Sequence, residues 1–269
     1  MDIRFNLFPG ARFKALTFSY DDGRDQDRRL VEIFNRHNLK ATFHLNSGKF
    51  GDDGYVEHGE VADLYAGHEI SAHTVTHPFL ERIPRERLIT EIMDDRRSLE
   101  ELAGYPVRGM SYPYGTYNEE VAKAVGSLGI RYSRTVKSTS GFKVPEHPLT
   151  WHPTCHHKQM QEHGESFLAL DPPPHYTDLS LLYVWGHSYE FDNDDNWNEI
   201  EEFCAKMADR TDIWYATNIE IIDYLDALKR LAFSVDGMLV HNPSALAVWV
   251  TVNGEAVEIV GGGTRRIEA

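Results

Sequence analysis

Ala15-Leu16-Thr17-Phe18-Ser19-Tyr20-Asp21-Asp22-Gly23 opens as a strand and ends in two carboxylates and a glycine turn. Side chains alternate along an extended strand, so the adjacent Asp21 and Asp22 face different ways. One is free to bind a cation while its neighbour addresses water. About fifty residues on, a second apolar run ends in His73-Thr74-Val75-Thr76-His77. Each feature alone is weak, because Asp and Gly are ordinary turn residues and two histidines four apart are commonly incidental. Together they supply enough hard and borderline donors for one divalent metal, with a carboxylate left over as base. Pro78 disfavours the helical conformation at His77, which predicts a loop there.

Outward from these two stretches, short β-branched and aromatic runs alternate with helix-period segments, the pattern of parallel βαβ units. Strands are expected at 15–19, 41–45, 68–72, 107–111, 130–136, 181–186 and 212–216, and helices at 27–38, 60–66, 84–103, 117–128, 197–209 and 218–230. Asp27 and Asn118 stand at N-cap positions, Pro84 suits a first helical turn, and Gly104 and Gly129 mark helix ends. A parallel sheet needs both faces covered, so the expected fold class is α/β, a distorted seven-stranded (β/α) barrel. An open doubly wound sheet is the alternative. In a barrel the chemistry gathers at the carboxyl ends of the strands, which brings Asp21, Asp22, His73, His77, Tyr114 and His187 to one cleft.

Two regions break the alternation. Residues 137–178 are rich in Pro and His, carry the rigid Asp171-Pro172-Pro173-Pro174, and read as one long functional loop. From Leu231 the text becomes strand-like, with Asp236-Gly237 and Asn253-Gly254 as hairpin turns. The expected division is a barrel over 1–230 and a small C-terminal β appendage over 231–269, which supports the barrel or an oligomer interface.

The chain has 269 residues, 41% of them apolar, enough for one sizeable core. A formal charge of -15 argues against nucleic acid or an anionic membrane as partner and favours a neutral or cationic substrate. Cys155 and Cys204 make no disulfide framework, the amino terminus does not read as a signal peptide, and no apolar stretch reaches membrane-spanning length. A cytoplasmic location is expected.

Thr17-Phe18-Ser19-Tyr20-Asp21-Asp22-Gly23 resembles the first motif of the polysaccharide deacetylases, the NodB-homology domain of carbohydrate esterase family four. Gly67-His68-Glu69-Ile70-Ser71-Ala72-His73-Thr74-Val75-Thr76-His77-Pro78 resembles their His-Ser/Thr-x-x-His motif, Ser111-Tyr112-Pro113-Tyr114-Gly115 the third motif and Trp185-Gly186-His187 the fifth. The resemblance implies a metal-dependent deacetylase, removing N-acetyl or O-acetyl groups from a sugar, oligosaccharide or polysaccharide. It implies one divalent ion, zinc first and cobalt, nickel, manganese or iron as alternatives, held by Asp22, His73 and His77. It further implies Asp21 as base, the Tyr114 backbone N–H at the oxyanion and His187 as general acid. Trp151, Trp185 and Tyr112 are the expected sugar contacts.

Two features depart from the family pattern. Ser111 stands where many members carry an Arg that orients the catalytic Asp; Arg108 lies at the wrong offset, and Arg134 on the next strand is the candidate replacement. The fourth motif, Asp-x-x-Asp-Trp, is replaced by Trp151-His152-Pro153-Thr154-Cys155-His156-His157, leaving the partner of His187 open. That stretch reads as pocket lining, with a second metal site at His152, Cys155 and His156 as its rival. Two other readings remain, an amidohydrolase acting on a small amide or ureide and a noncatalytic carbohydrate-binding relative.

Overall fold

All of Lys14–Asp22 is buried except Asp22 itself, which an extended segment achieves only inside a sheet covered on both faces. The computed structural model describes residues 2–171 and 178–267; Pro172, Pro173 and Pro174 lie outside the described residues. Its strands are Ile3–Leu7 (β1), Lys14–Asp22 (β2), Ala41–Leu45 (β3), Glu69–Ala72 (β4), Gly109–Ser111 (β5), Tyr132–Arg134 (β6) and Cys155–His156 (β7). They continue with Ser180–Gly186 (β8), Ile213–Tyr215 (β9), Ala232–Phe233 (β10), Leu239–His241 (β11), Val248–Val252 (β12), Glu255–Ile259 (β13) and Thr264–Arg266 (β14).

The main sheet is parallel and curled, in the order β6-β5-β4-β3-β2-β8-β7. Its two edges meet at Trp151, whose N–H donates to Ser133 O (2.9 Å) and whose carbonyl accepts from Thr135 N–H (2.9 Å). Three residues on, Thr154 N–H donates to Tyr183 O on β8 (2.9 Å), so one short segment spans the gap. The expected α/β barrel is thus present, with one exchange among its strands. The expected strand at 212–216 exists as β9 but pairs only with the start of β2, off the ring, and the ring is completed by Cys155–His156. Two residues are too short to show a period, which hid this strand inside the expected loop.

Helices Asp27–Arg36, Val61–Leu64, Arg85–Ala103, Glu119–Ser127, Trp197–Met207 and Asn218–Lys229 fall where the periodicity puts them. The Asn118 side chain accepts from Val121 N–H as a cap, and Gly104 ends its helix at φ 72. Asp27 is a correction: Gln26 precedes the helix, and the buried Asp27 carboxylate accepts from Tyr65 OH (2.6 Å) and Ser188 Oγ (2.5 Å). The 137–178 loop also contains an unforeseen helix, Met160–Leu168. Its buried face is Met160, Gly164 and Phe167, and a Cβ at Gly164 would stand 2.6 Å from Phe203. A glycine mid-helix reads as a breaker, but here it admits a close neighbour.

The two faces of β2 differ in chemistry. Leu16, Phe18 and Tyr20 point outward into a core with Phe34, Phe43 and the helix layer. Thr17, Ser19 and Asp21 point into the barrel, whose interior is polar. At its amino end Asn218 closes the interior, accepting from Thr17 Oγ1 (2.9 Å) and donating its N–H to Thr42 Oγ1 (2.9 Å). Glu69 accepts from Thr42 Oγ1, Tyr132 OH and Ile219 N–H, and burial outweighs these bonds enough to push its carboxyl up to about 7.

The appendage consists of two antiparallel three-stranded sheets, β1-β12-β13 and β10-β11-β14. The strand β1, assigned from sequence to the barrel, therefore belongs to the appendage, and β14 extends it past Gly261-Gly262-Gly263. Val240, Val248, Val250, Val252 and Ile259 pack with Ile221, Ile222, Tyr224, Leu225 and Leu228 of the helix Asn218–Lys229. The N-terminus of that helix seals the amino end of the barrel, which sets the appendage away from the strand ends that carry Asp21 and Asp22. Tyr224 OH ties the pieces together, donating to Leu7 O (2.7 Å) and accepting from Trp249 N–H (3.0 Å). Tyr224→Phe is expected to cost about 1–3 kcal/mol, because both backbone groups lose a buried partner. A urea midpoint equal to that of the unsubstituted protein would refute the role of this hydroxyl.

Candidate active site

Four residues around the carboxyl end of the barrel adopt left-handed backbone conformations without being glycine: Asp22 (φ 83), Thr74 (φ 70), His77 (φ 58) and Tyr114 (φ 60). Each costs of order 1–3 kcal/mol and persists only where surrounding structure holds it. For the 73–77 loop the holding groups are visible. Asp95, on the helix Arg85–Ala103, accepts from Ser47 N–H (2.8 Å) and His73 N–H (3.0 Å). Glu91, one turn earlier, accepts from Thr76 N–H (2.9 Å) and the Thr76 hydroxyl (2.6 Å). Asn46 donates to the carbonyls of His73 (2.6 Å) and Thr74 (2.9 Å). These supports were not foreseen from sequence; Glu91 and Asp95 sit four apart on one helix and show as unusually buried acids only once packed.

Asp22 Oδ1 lies 3.6 Å from His73 Nε2 and 3.8 Å from His77 Nε2. The donor atoms of the three residues all fall within 4.8 Å of one another. Donors on a tetrahedral ion with bonds of about 2.0–2.1 Å stand roughly 3.3 Å apart, so a slight contraction satisfies the set. His73 Nδ1 is 2.9 Å from Ser111 O and 2.7 Å from Ser111 Oγ; donation to that carbonyl selects the tautomer whose Nε2 lone pair faces Asp22. Burial, then the neighbouring His73, holds His77 down to about 4, so its ring is neutral and able to ligate at neutral pH. The three residues fit a divalent cation.

Asp21 faces the interior instead, buried beside this trio. Burial disfavours its charge, but the Arg134 guanidinium and the surrounding histidines outweigh burial and hold its carboxyl well below the usual range. Arg134 is itself fully buried, pairs with Asp21 through Nη2, donates from Nε to Ser19 Oγ (3.1 Å) and lies over the Trp185 ring at 4.4 Å. Ser111 Oγ donates to Asp21 Oδ1 (3.1 Å). Arg134 therefore fills the place expected of the missing arginine, and Ser111 adds a hydroxyl where that arginine would have stood.

His187 follows β8, and the register Tyr20↔Gly186 sets it beside Asp21 and Asp22. Its Nδ1 lies 3.3 Å from Glu190 Oε2, the partner left open by the sequence. Burial pulls the imidazole down, yet Glu190 and the two aspartates prevail and raise it above its ordinary value. An i, i+3 acid inside a short helix was the signal available for Glu190. Tyr114 stands 51% exposed at the mouth, its ring 4.4 Å from His77 and stacked on Phe79 at 3.8 Å.

Three expected sugar contacts are placed differently. Trp151 is 2% exposed and sits inside the barrel between Tyr132 and Tyr183, at ring distances of 5.6 and 4.7 Å. Its strand-closing backbone sends the side chain inward, so it is core and no sugar wall. Tyr112 is likewise buried, its hydroxyl donating to Leu149 O (2.7 Å). Trp185 is largely buried as the platform under Arg134, with its ring 5.7 Å from His187. The rival metal set at His152, Cys155 and His156 does not assemble: His152 turns to Thr135 (2.6 Å), and burial pushes the Cys155 thiol up to about 12. His156 and His157 instead converge on Glu190.

The polysaccharide deacetylase family model matches residues 10–133. Over that stretch, a little under half of its length, the chain is similar to this family. A peptidoglycan-N-acetylglucosamine deacetylase of Listeria monocytogenes is 28% identical over 123 residues, covering 45% of this chain and 26% of the relative. The corresponding Bacillus cereus enzyme is 32% identical over 122 residues, 43% of this chain and 42% of its own. The chain thus spans less than half the length of these curated relatives. A putative polysaccharide deacetylase from Mycobacterium smegmatis shares the fold over 82% of this chain and 93% of its own, at a TM-score of 0.62 and 15% identity. The deacetylase match ends within β6, one residue short of Arg134, so the arginine, Glu190 and His187 lie outside it.

If Arg134 keeps Asp21 ionised and oriented, Arg134→Met will lower kcat by about a hundredfold or more while bound metal is retained, and Arg134→Lys will recover part of the loss. Loss of metal together with kcat in both variants points to a collapsed site instead.

Proposed function

We propose that this chain is a metal-dependent deacetylase hydrolysing the N-acetyl groups of a sugar or oligosaccharide. The observation that carries the reading is the convergence, at one end of the barrel, of an ionised carboxylate held by Arg134, a cation-competent trio and an imidazole backed by Glu190. Asp22, His73 and His77 would hold one divalent ion, which when bound supplies polarisation of a carbonyl and acidification of water. Two imidazoles and a carboxylate suit zinc, and cobalt, nickel, manganese or iron less selectively. Asp21, kept ionised, takes the proton of the attacking water. The Tyr114 backbone, turned at φ 60, supports the oxyanion, and His187 gives its proton to the leaving nitrogen.

The exposed Tyr114, rigid on Phe79, is the surface offered to a sugar ring in place of Trp151. Relatives that act on N-acetylglucosamine in peptidoglycan, and chitooligosaccharide deacetylases among them, support an N-acetylhexosamine substrate. The arginine whose absence favoured a noncatalytic relative has its counterpart in Arg134, which supports catalysis.

Acetate release from N-acetylglucosamine oligomers, measured against acetylxylan and monomeric acetamides after chelation and metal resupply, tests the reading; no release from any of them rejects it. His73→Ala is expected to lower metal content by one ion per chain and to abolish turnover. Asp21→Asn should keep the metal and lose a factor of roughly a hundred to ten thousand. The pH dependence has a definite sign. His187 must be protonated to act as acid, and Glu190 is among the groups that raise it, so Glu190→Gln moves the basic limb of kcat/KM to lower pH. An unmoved basic limb would assign that limb to another group.

A further inference from the structure

His156, His157 and Glu190 bring three donor atoms within 4.8 Å of one another, and none of them belongs to the Asp22, His73, His77 set. Glu190 Oε2 lies 3.0 Å from His156 Nε2 and 3.5 Å from His157 Nε2. These separations bracket the roughly 3.3 Å edge of a tetrahedral zinc site. Two imidazoles and one glutamate form a known type of zinc donor set, with a position left for solvent.

His157 supplies the independent observation. It is 2% exposed, yet neither ring nitrogen makes a hydrogen bond. A buried polar side chain without a partner is costly and rare in folded proteins. Its ring is also held in place, stacked on Phe191 at 4.3 Å and seated over Gly186, where a Cβ would come within 2.1 Å of Nδ1. The Nε2 atom is therefore fixed on the Glu190 side with its demand unmet. The adjacent Lys158, which could have neutralised the carboxylate, is engaged with Asp194 (2.6 Å).

The same Glu190 oxygen is 3.3 Å from His187 Nδ1. We propose that His156, His157 and Glu190 form a second divalent-cation site of the zinc type, and that its occupancy draws the Glu190 carboxylate away from His187. A cation on that oxygen draws electron density from it and competes for it with the backbone N–H (3.2 Å) and the ring Nδ1 of His187, which weakens its hold on His187. The consequence for turnover rests on the deacetylase reading; the site and its pull on His187 do not. Zinc in excess of one equivalent then slows the enzyme by releasing its acid from its partner.

The test uses the full chain, stripped with chelator and titrated with zinc, with bound metal counted per chain and His187 followed by imidazole nitrogen NMR. The unsubstituted protein is expected to bind two ions, and His156→Gln and His73→Ala one each. His156 is half-buried at the rim of the cluster, so its glutamine variant spares the packed His157. The second equivalent should shift the His187 Nδ1 signal in the unsubstituted protein and not in His156→Gln. Turnover should fall about tenfold or more over the same interval, because an acid catalyst without its orienting partner loses at least that much. One ion in the unsubstituted protein, or two in His156→Gln, overturns the site. Two ions with an unmoved His187 signal overturns the coupling, whether or not acetate is released.

Discussion

A buried carboxylate that stays ionised needs a cation beside it, and the pairing of Asp21 with Arg134 is the constraint on which this barrel rests. The two residues belong to β2 and β6, four strands apart in the sheet order. In a flat sheet four spacings of about 4.8 Å would separate them by roughly 19 Å. Here their side chains are in contact, with Ser111 of the intervening β5 also bonded to Asp21. Only a sheet curled on itself can do this. The hydrophobic layer outside the ring favours covering the sheet, but it does not dictate how tightly the sheet closes. The polar interior does, because Asp21 bonds to Ser111 and Arg134, and Glu69 to Thr42 and Tyr132, from one strand to another.

Seen this way, the site and the fold share one network. Asp21, Ser111 and His73 are linked through the Ser111 hydroxyl and carbonyl, and His73 in turn is held by Asp95 from the helix outside. Strain at Thr74 and His77 is sustained by the bonds that Asn46, Glu91 and Asp95 make to their loop. Removing one member leaves a buried neighbour with one partner fewer, so the residues at this end of the molecule carry part of the fold as well as the site. At the other end, Asn218 and Glu69 meet the same demand with neutral partners and no strained backbone among the left-handed residues named above.

Much of this was readable before any coordinates. The strand ending in Asp21-Asp22-Gly23, the loop at His73 and His77 and the alternation around them carry local signals that survive folding. What could not be read were contacts between distant segments. Trp151 has the composition of a sugar platform, but its side-chain direction follows from a backbone bridge to Ser133 and Thr135 that leaves no mark in sequence. Cys155–His156 is too short to announce itself as a strand, and Gly164 conceals a helix because its reason for being glycine is Phe203, 39 residues away. Arg134 was approachable because a missing charge poses a question that physical chemistry obliges the chain to answer. Glu190 was overlooked although it lies only three residues from His187, since its role depends on a short helix turning it back.

The pairing of β1 with β12 has a consequence for how the chain comes off the ribosome. Ile3 and Val252 are registered partners about 250 residues apart, so β1 is made well before the strand it pairs with. By then every strand of the ring, from Lys14 to Gly186, has emerged and can close on local and medium-range contacts. During that interval Ile3–Leu7 still lacks β12, with Phe5 in its middle, and is a segment open to wrong pairings. Vectorial synthesis thus favours a finished barrel with β1 still awaiting β12, and the sheets that follow the barrel act as a late clasp that ends this exposure.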